Sequence, residues 1–180
     1  MGWTWTPSFW NMIHVVSPLI DTSHHTIFYK WLEVMASSVT SKEGKSWLQS
    51  NEDLFDKTDL VSTMIQFRKH LDKSCPPTAF LRSYYRKEVI TRDVWGHVLW
   101  SWMHEASNTL EYDSCKTMLN LLLTWIPCDE CRKHGQEFVK RHPISNPASL
   151  WLMHFHNSVS HRINQASGSK KKIYKTHELQ

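Results

Sequence analysis

A pattern of tryptophan and histidine occurs twice in this chain and constrains its fold more than any other feature. The pattern is Trp-x4-Trp-x3-His, and its two occurrences, Trp5–His14 and Trp95–His104, lie 90 residues apart. Identities elsewhere at this offset are hardly above chance, so two unrelated amphipathic helices that both use tryptophan are the alternative. We favour an internal duplication, because two rare residue types recur in register. It predicts two helical units of one kind in a single chain.

The same offset pairs Ser38 and Ser41 with Cys128 and Cys131. The first unit therefore lacks the close cysteine pair of the second, as expected if its chemistry was lost after duplication. Four lysines follow a Ser-Gly-Ser stretch near the end of the chain and predict a solvated, mobile tail. The predicted domains are a degenerate helical domain (1–75), a linker (76–90), a second helical domain with the cysteine pair (91–166) and the basic tail (167–180).

The pattern of apolar residues is helical nearly throughout. The chain has only 5 glycines and 7 prolines in 180 residues, which argues against an all-β fold. We therefore predict an all-α protein. From capping residues and prolines, helices are expected to begin at Pro7 after a Thr6 cap, after Thr91, near Cys128, and at Pro147 after an Asn146 cap. The other helices are expected at about 26–37, 43–49, 58–72 and 114–126.

Composition and charge exclude several classes of protein. A charged fraction of 21% and a hydrophobic fraction of 41% are typical of a globular chain. The longest apolar stretch, around Leu119–Ile126, is too short to span a bilayer, and no signal peptide is visible. The net charge of +4 lies largely in the tail, so no basic stripe suggests a nucleic-acid partner. We expect a protein that is not secreted and has no membrane span.

Two cysteines, Cys128 and Cys131, follow Pro127 at a predicted helix start. Unpaired amide groups and the helix dipole stabilise a thiolate there, and cysteines three residues apart on a helical turn can close a disulfide. Arg132 directly after the second cysteine excludes the haem-attachment motif, and no βαβ context supports a thioredoxin-like fold. A redox-active or metal-binding pair is the remaining prediction.

The chain holds 10 tryptophans and 12 histidines, several of them in two groups on either side of the cysteine pair. Trp100 and His104 come before it, and the segment Trp151–Val159 follows it. Aromatic faces and neutral imidazoles suit a planar heteroaromatic cofactor, by stacking and by hydrogen bonding. The alternative for the same residues is a tryptophan-rich helical core.

Three motifs in this order make the chain resemble the Erv/ALR family of FAD-linked sulfhydryl oxidases. They are G-x3-W-x3-H at Gly96–His104, C-x-x-C at Cys128–Cys131, and W-x4-H-N-x-V at Trp151–Val159. The resemblance covers about residues 91–165. A tryptophan directly before Gly96 and a single C-x-x-C look more like members encoded by large DNA viruses, some of which carry a redox-dead first copy.

The resemblance implies a four-helix bundle plus a short fifth helix that binds FAD, with the degenerate copy completing a pseudo-dimer. It implies that Cys128 exchanges with substrate and that Cys131 lies beside the flavin. The residues that match cofactor-contacting positions are Gly96, Trp100, His104, His134, His154, His156 and Asn157, with Asn108 as a weaker candidate. Ser160 stands where the family commonly has asparagine, and the cysteines of the family's structural disulfide beyond the third motif are absent.

The activity implied is that of a flavin-linked thiol oxidase, which makes protein disulfides from thiols and passes the electrons to FAD and then to O2, giving H2O2. The implied partners are thiol-containing protein substrates or a partner thiol oxidoreductase, and a homodimer of pseudo-dimers is expected. The expected location is the cytoplasm or nucleus of an infected host cell, or the virion.

Two other functions compete with this one. A zinc-binding interaction module would use Cys128, Cys131 and His134, with His142 or a distant histidine as the fourth ligand. In the other alternative, an inert helical scaffold, the cysteines have no chemical role. Cys75 and Cys115 are expected to be free structural thiols. An intramolecular pair remains an alternative for both, and a shuttle role or pairing with another chain for Cys75.

Overall fold

The computed structural model describes residues 5–72, 90–168 and 170–175, and within them the chain forms helices and no strand. The all-α prediction is therefore confirmed for these residues. The α-helices are α1 (Pro7–Val16), α2 (His25–Ser38), α3 (Lys42–Ser50), α4 (Leu54–Lys57), α5 (Leu60–Leu71), α6 (Arg92–Thr109), α7 (Tyr112–Trp125), α8 (Asp129–Arg141) and α9 (Ala148–Ser167). Two 3₁₀ helices, Ser17–Leu19 and Thr22–His24, lie between α1 and α2.

Local capping sets several helix starts. Thr6 caps α1, its hydroxyl oxygen accepting from the Phe9 backbone N–H at 3.3 Å, and Pro7 follows as predicted. The prediction that Asn146 caps α9 is wrong by one residue. Pro147 keeps an extended backbone with ψ 140°, so Pro147 itself is the cap and the helix begins at Ala148. The short helix α4 was not predicted.

The two halves of the chain pack together through their first two helices. In this contact α1 lies against α6 and α2 lies against α7. The indoles of Trp31, Trp102 and Trp125 are fully buried where these helices meet. Trp31 lies 5.2 Å from Trp102 and 5.0 Å from Trp125, measured between ring centroids, both edge to face. Large aromatic surfaces therefore hold one half against the other.

The helix starts place the serines of the first half differently from the 90-residue register. Ser41 caps α3 as Cys128 caps α8, so Ser41 corresponds to Cys128 and Gly44 to Cys131. Ser38 is instead the last residue of α2, where its hydroxyl donates to the Val34 carbonyl. The register changes because the connection between the first two helices is longer in the first half, where it includes the 3₁₀ helices.

Residues 171–174 pack against the second half. These residues belong to the predicted tail 167–180, and a pair of hydrogen bonds joins Lys171 to α9. Asn164 donates to the Lys171 carbonyl at 3.0 Å and accepts from the Lys171 N–H at 2.7 Å. The predicted 76–90 linker falls outside the described residues except for Ile90. No helix in the described ranges is long and apolar enough to cross a membrane.

Candidate functional site

A cavity of about 340 Å³ lies in the second half, between α6, α7, α8, α9 and the segment 171–174. Its volume falls within the range of roughly 300–1,000 Å³ that is usual for ligand sites. Six of the residues predicted as site residues line it together: Gly96, Trp100, His104, Cys131, His134 and His156. The fold thus joins all three sequence motifs at one space.

Four other predicted residues do not line this cavity. Asn108 and His154 are exposed on their helices. Asn157 is half-buried, and its side-chain amide forms two hydrogen bonds of 2.8 Å with the Tyr174 backbone, one as donor and one as acceptor. Cys128 lines a separate space, the outer cleft, together with Asp21, Asp129 and Arg132.

Cys128 and Cys131 are joined in a disulfide at the start of α8. The Cys128 sulfur caps the helix, accepting from the Cys131 N–H at 3.2 Å. Cys131 lines the 340 Å³ cavity, whereas Cys128 lines the outer cleft of about 460 Å³. One disulfide bond therefore joins residues that line two separate spaces.

A stack of aromatic and imidazole rings forms part of the cavity wall. The rings of Trp100 and His156 are parallel within 2° and 4.0 Å apart between centroids. His156 Nδ1 lies 3.0 Å from His104 Nε2, within hydrogen-bond distance. Burial, and next the nearby His104, lower the pKa of His156 to about 4, and burial lowers the pKa of His104. Both rings are thus neutral at pH 7, and one ring donates to the other.

His134 lies on α8, one turn beyond Cys131. Its Nε2 atom is 3.3 Å from the Ser158 hydroxyl, and its ring is stacked 6.2 Å from Phe155 between centroids. Burial is the main cause that lowers the pKa of His134, with a smaller effect from Arg162. This is a third neutral imidazole at the cavity.

Two observations test whether the cavity suits a bound group. A Cβ atom built on Gly96 meets nothing within 4 Å, whereas one on Gly135 would lie 2.7 Å from Leu123 Cδ2. Packing against the chain therefore does not require glycine at Gly96, and the missing side chain leaves room in the cavity. The Nε of Arg162 is buried and has no hydrogen-bond partner among the described residues, while its Nη1 donates to Glu130 at 2.6 Å. A planar, anionic group such as FAD fits these walls.

Sequence reasoning missed the contribution of residues 171–174 to the site. Lys171 and Tyr174 line the cavity, and Lys171 forms an ion pair with Asp93 at the start of α6. Tyr174 lies 4.9 Å from His156 between ring centroids. No local pattern signals these contacts, because they join residues far apart in the sequence.

Side chains fill the corresponding space in the first half. The Trp5 indole N–H donates to the Ser41 hydroxyl at 3.3 Å, and a Cβ on Gly44 would lie 2.9 Å from Trp5 Cζ2. Trp47, which corresponds to His134 when α3 and α8 are aligned by their caps, lies 5.0 Å from Phe67 between ring centroids. In the first half, tryptophan side chains therefore fill the space that corresponds to the cavity beside Cys131 in the second half.

Cys115 is a free thiol in the structure, as the sequence predicted. Cys115 is buried in α7, and burial raises the pKa of its thiol to about 11. Cys75 lies outside the described residues. Among the residues that the structure describes, no group of three or more His, Cys, Asp or Glu side chains could hold a metal ion. The zinc hypothesis therefore gains no support from side-chain placement.

The fold and the site together define a helical protein with a disulfide at the wall of an aromatic, cofactor-sized cavity. Residues 92–178 match the model of the Erv1 / Alr family, which spans α6–α9 and the segment that folds back over the cavity. This match supports membership of the Erv1 / Alr family, whose members are generally FAD-linked sulfhydryl oxidases. The searches of curated proteins and of solved structures gave no match.

Proposed function

We propose that this chain is an FAD-dependent sulfhydryl oxidase that converts protein thiols to disulfides: two R–SH and O2 give R–S–S–R and H2O2. One observation carries the proposal: Cys131 lines the ring-walled cavity, while Cys128 of the same disulfide lines the outer cleft. This arrangement suits a disulfide that accepts electrons on its outer side and delivers them on its inner side.

The residues that would hold FAD are the ring stack and the open wall of the cavity. Trp100 and His156 offer flat faces, the neutral imidazole of His104 offers hydrogen bonding, and the space over Gly96 admits a planar ring. Arg162 and Lys171 supply positive charge for an anionic part of the ligand. When bound, FAD supplies the two-electron transfer from dithiol to oxygen that no side chain performs.

The cysteine pair carries the thiol chemistry. A substrate thiolate attacks the Cys128 sulfur, so that a substrate–Cys128 disulfide forms, the Cys128–Cys131 bond breaks and Cys131 leaves as a thiolate. A second substrate thiolate then attacks the substrate sulfur, which releases the substrate disulfide and leaves Cys128 reduced. Cys131 lies in the first turn of α8, where unpaired amides and the helix dipole stabilise its thiolate.

We propose that the first half is a degenerate copy that completes a pseudo-dimer within one chain. Support comes from the pairing of equivalent helices, since α1 lies against α6 and α2 against α7. The filled space between Trp5 and Gly44 supports loss of cofactor binding in that copy. An origin in a large DNA virus, a location inside the infected cell or virion, and a homodimer of pseudo-dimers remain proposals from the resemblance.

The absorption spectrum of the purified full chain, before and after addition of dithiothreitol in air, tests the proposed function. We expect flavin absorption, oxygen consumption and one H2O2 per disulfide formed. If the protein is colourless, FAD is added and the spectrum and oxygen consumption are measured again. A protein that stays inactive after this addition, or that contains stoichiometric zinc, contradicts the proposal.

A further inference from the structure

The outer cleft of about 460 Å³ is formed by both halves of the chain. The second half contributes the residues around the disulfide, and the first half contributes the two 3₁₀ helices and the residues between them. The lining residues are Leu19, Asp21, Ser23, His24, Pro127, Cys128, Asp129 and Arg132. The half that lacks the cysteine pair is therefore part of the surface through which Cys128 is reached.

The inference rests on the proposed function, in which a substrate thiolate attacks Cys128. Cys128 is the sulfur that faces the outer cleft, and Cys131 faces the inner cavity. A thiolate that attacks Cys128 comes from the outer cleft, so the chain that carries it lies against Asp21 and His24. The first half can then select among substrates.

The charges of the cleft differ in how far the protein itself compensates them. Arg132 is only 16% exposed and pairs with Asp129, and it also donates to the Ile126 carbonyl at 2.6 Å. Asp21 is exposed and has no ion-pair partner in the described part of the chain. Its Oδ1 atom accepts from the Ser23 N–H at 2.9 Å and from the Ser23 hydroxyl at 2.6 Å.

These hydrogen bonds lower the pKa of Asp21, so its carboxylate is charged at neutral pH. With Arg132 and Asp129 offsetting each other, the uncompensated charge of the cleft is negative. A negative charge beside the disulfide disfavours an incoming thiolate. A cation carried next to the substrate cysteine removes this disadvantage and also lowers the pKa of the substrate thiol.

We propose that the first half is the substrate-selecting wall of the site and that the cleft docks a protein segment with Lys or Arg beside its reactive cysteine. Asp21 pairs with that cation. Docking adds no chemical step to the exchange at Cys128. The degenerate half then has a role of its own, since it supplies the charge that decides which thiols react.

The test uses the full chain loaded with FAD and two peptides that differ only in Lys or Glu next to a single cysteine. The measured quantity is kcat/KM at low ionic strength, divided by the dithiothreitol value of the same protein. We expect a preference of about five-fold for the Lys peptide, typical of one exposed ion pair. In Asp21→Asn, whose amide oxygen can still cap the 3₁₀ helix, the preference falls towards one.

Asp59→Asn is the matched control. Asp59 is another capping aspartate of the first half, which accepts from the Ser62 N–H at 2.9 Å and lines neither cavity. This variant keeps the preference of the unmodified chain. Equal rates for both peptides, or a preference unaffected by Asp21→Asn, overturn the docking proposal alone. Failure to oxidise dithiothreitol overturns the proposed function, and the docking proposal with it.

Discussion

The indole of Trp31 lies edge to face against the indole of Trp125, 5.0 Å away between ring centroids, and this contact joins the two halves of the chain. Both side chains are fully buried. Because each residue belongs to the second helix of its half, the contact lies where α2 crosses α7. Neither half buries this surface by itself.

Trp31→Ala should destabilise the whole protein. Loss of a fully buried tryptophan leaves a cavity and costs about 3–5 kcal/mol of unfolding free energy. Urea denaturation followed by circular dichroism measures the loss. Trp31→Phe, which keeps an aromatic ring, should cost less. A loss below about 1 kcal/mol for Trp31→Ala would show that the contact between the halves contributes little.

A chain shortened to residues 88–180 should not remain a monomer. Removal of the first half exposes Trp102 and Trp125, and large exposed apolar patches drive association. Light scattering after size exclusion should show self-association or aggregation. A soluble, FAD-loaded monomer of this length would count against the pseudo-dimer.

Gly96→Ala should separate stability from cofactor binding. Alanine in place of glycine inside α6 should stabilise the helix by about 0.5–1 kcal/mol, because glycine loses more conformational freedom on folding. The added Cβ meets nothing within 4 Å, so no steric clash offsets this gain. The same methyl group enters the cavity, so FAD affinity should fall about ten-fold, in line with a roughly 1–3 kcal/mol cost of overpacking. Thermal melting and fluorescence titration with FAD measure the two effects.

Gly135→Ala provides the contrast for that prediction. Its Cβ would lie 2.7 Å from Leu123 Cδ2, so the stability of this variant should fall. If Gly96→Ala binds FAD as tightly as the unmodified chain, the room over Gly96 is not used by the cofactor.

Replacement of both Cys128 and Cys131 by serine should abolish thiol oxidation and leave FAD bound. The rings of Trp100, His104 and His156 form the cavity wall without either sulfur. Oxygen consumption with dithiothreitol and the flavin spectrum report the two properties separately. Turnover that survives the double substitution would refute the catalytic assignment.

Stability should decrease as the pH falls from about 6.5 to about 4. In the folded chain, burial lowers the pKa of His14 and of His156 from 6.5 to about 4, so between these values the unfolded chain binds more protons. His14→Gln should flatten this part of the curve of melting temperature against pH. His161→Gln, which changes an exposed histidine of α9, is the control. An unchanged slope in His14→Gln would contradict the prediction.

Features set by nearby residues could be predicted from the sequence. The Thr6 cap and the following Pro7 start α1 through contacts within four residues, and the close pair Cys128 and Cys131 begins α8. The three motifs contain five of the predicted residues that the cavity brings together, and the family resemblance added a sixth, His134. Local spacing is enough for the helix starts because a helix repeats every few residues, whereas the site residues were predicted through the family resemblance.

The tertiary structure alone decided that Lys171 and Tyr174 line the cavity. The pair of hydrogen bonds between the Asn157 side chain and the Tyr174 backbone joins residues 17 positions apart. The packing of α9, rather than any local pattern, brings these two residues together. The same holds for Trp5 and Gly44, whose contact fills the first half. Contacts between distant residues depend on how whole helices pack, so spacing along the chain determined the helices and packing determined the site.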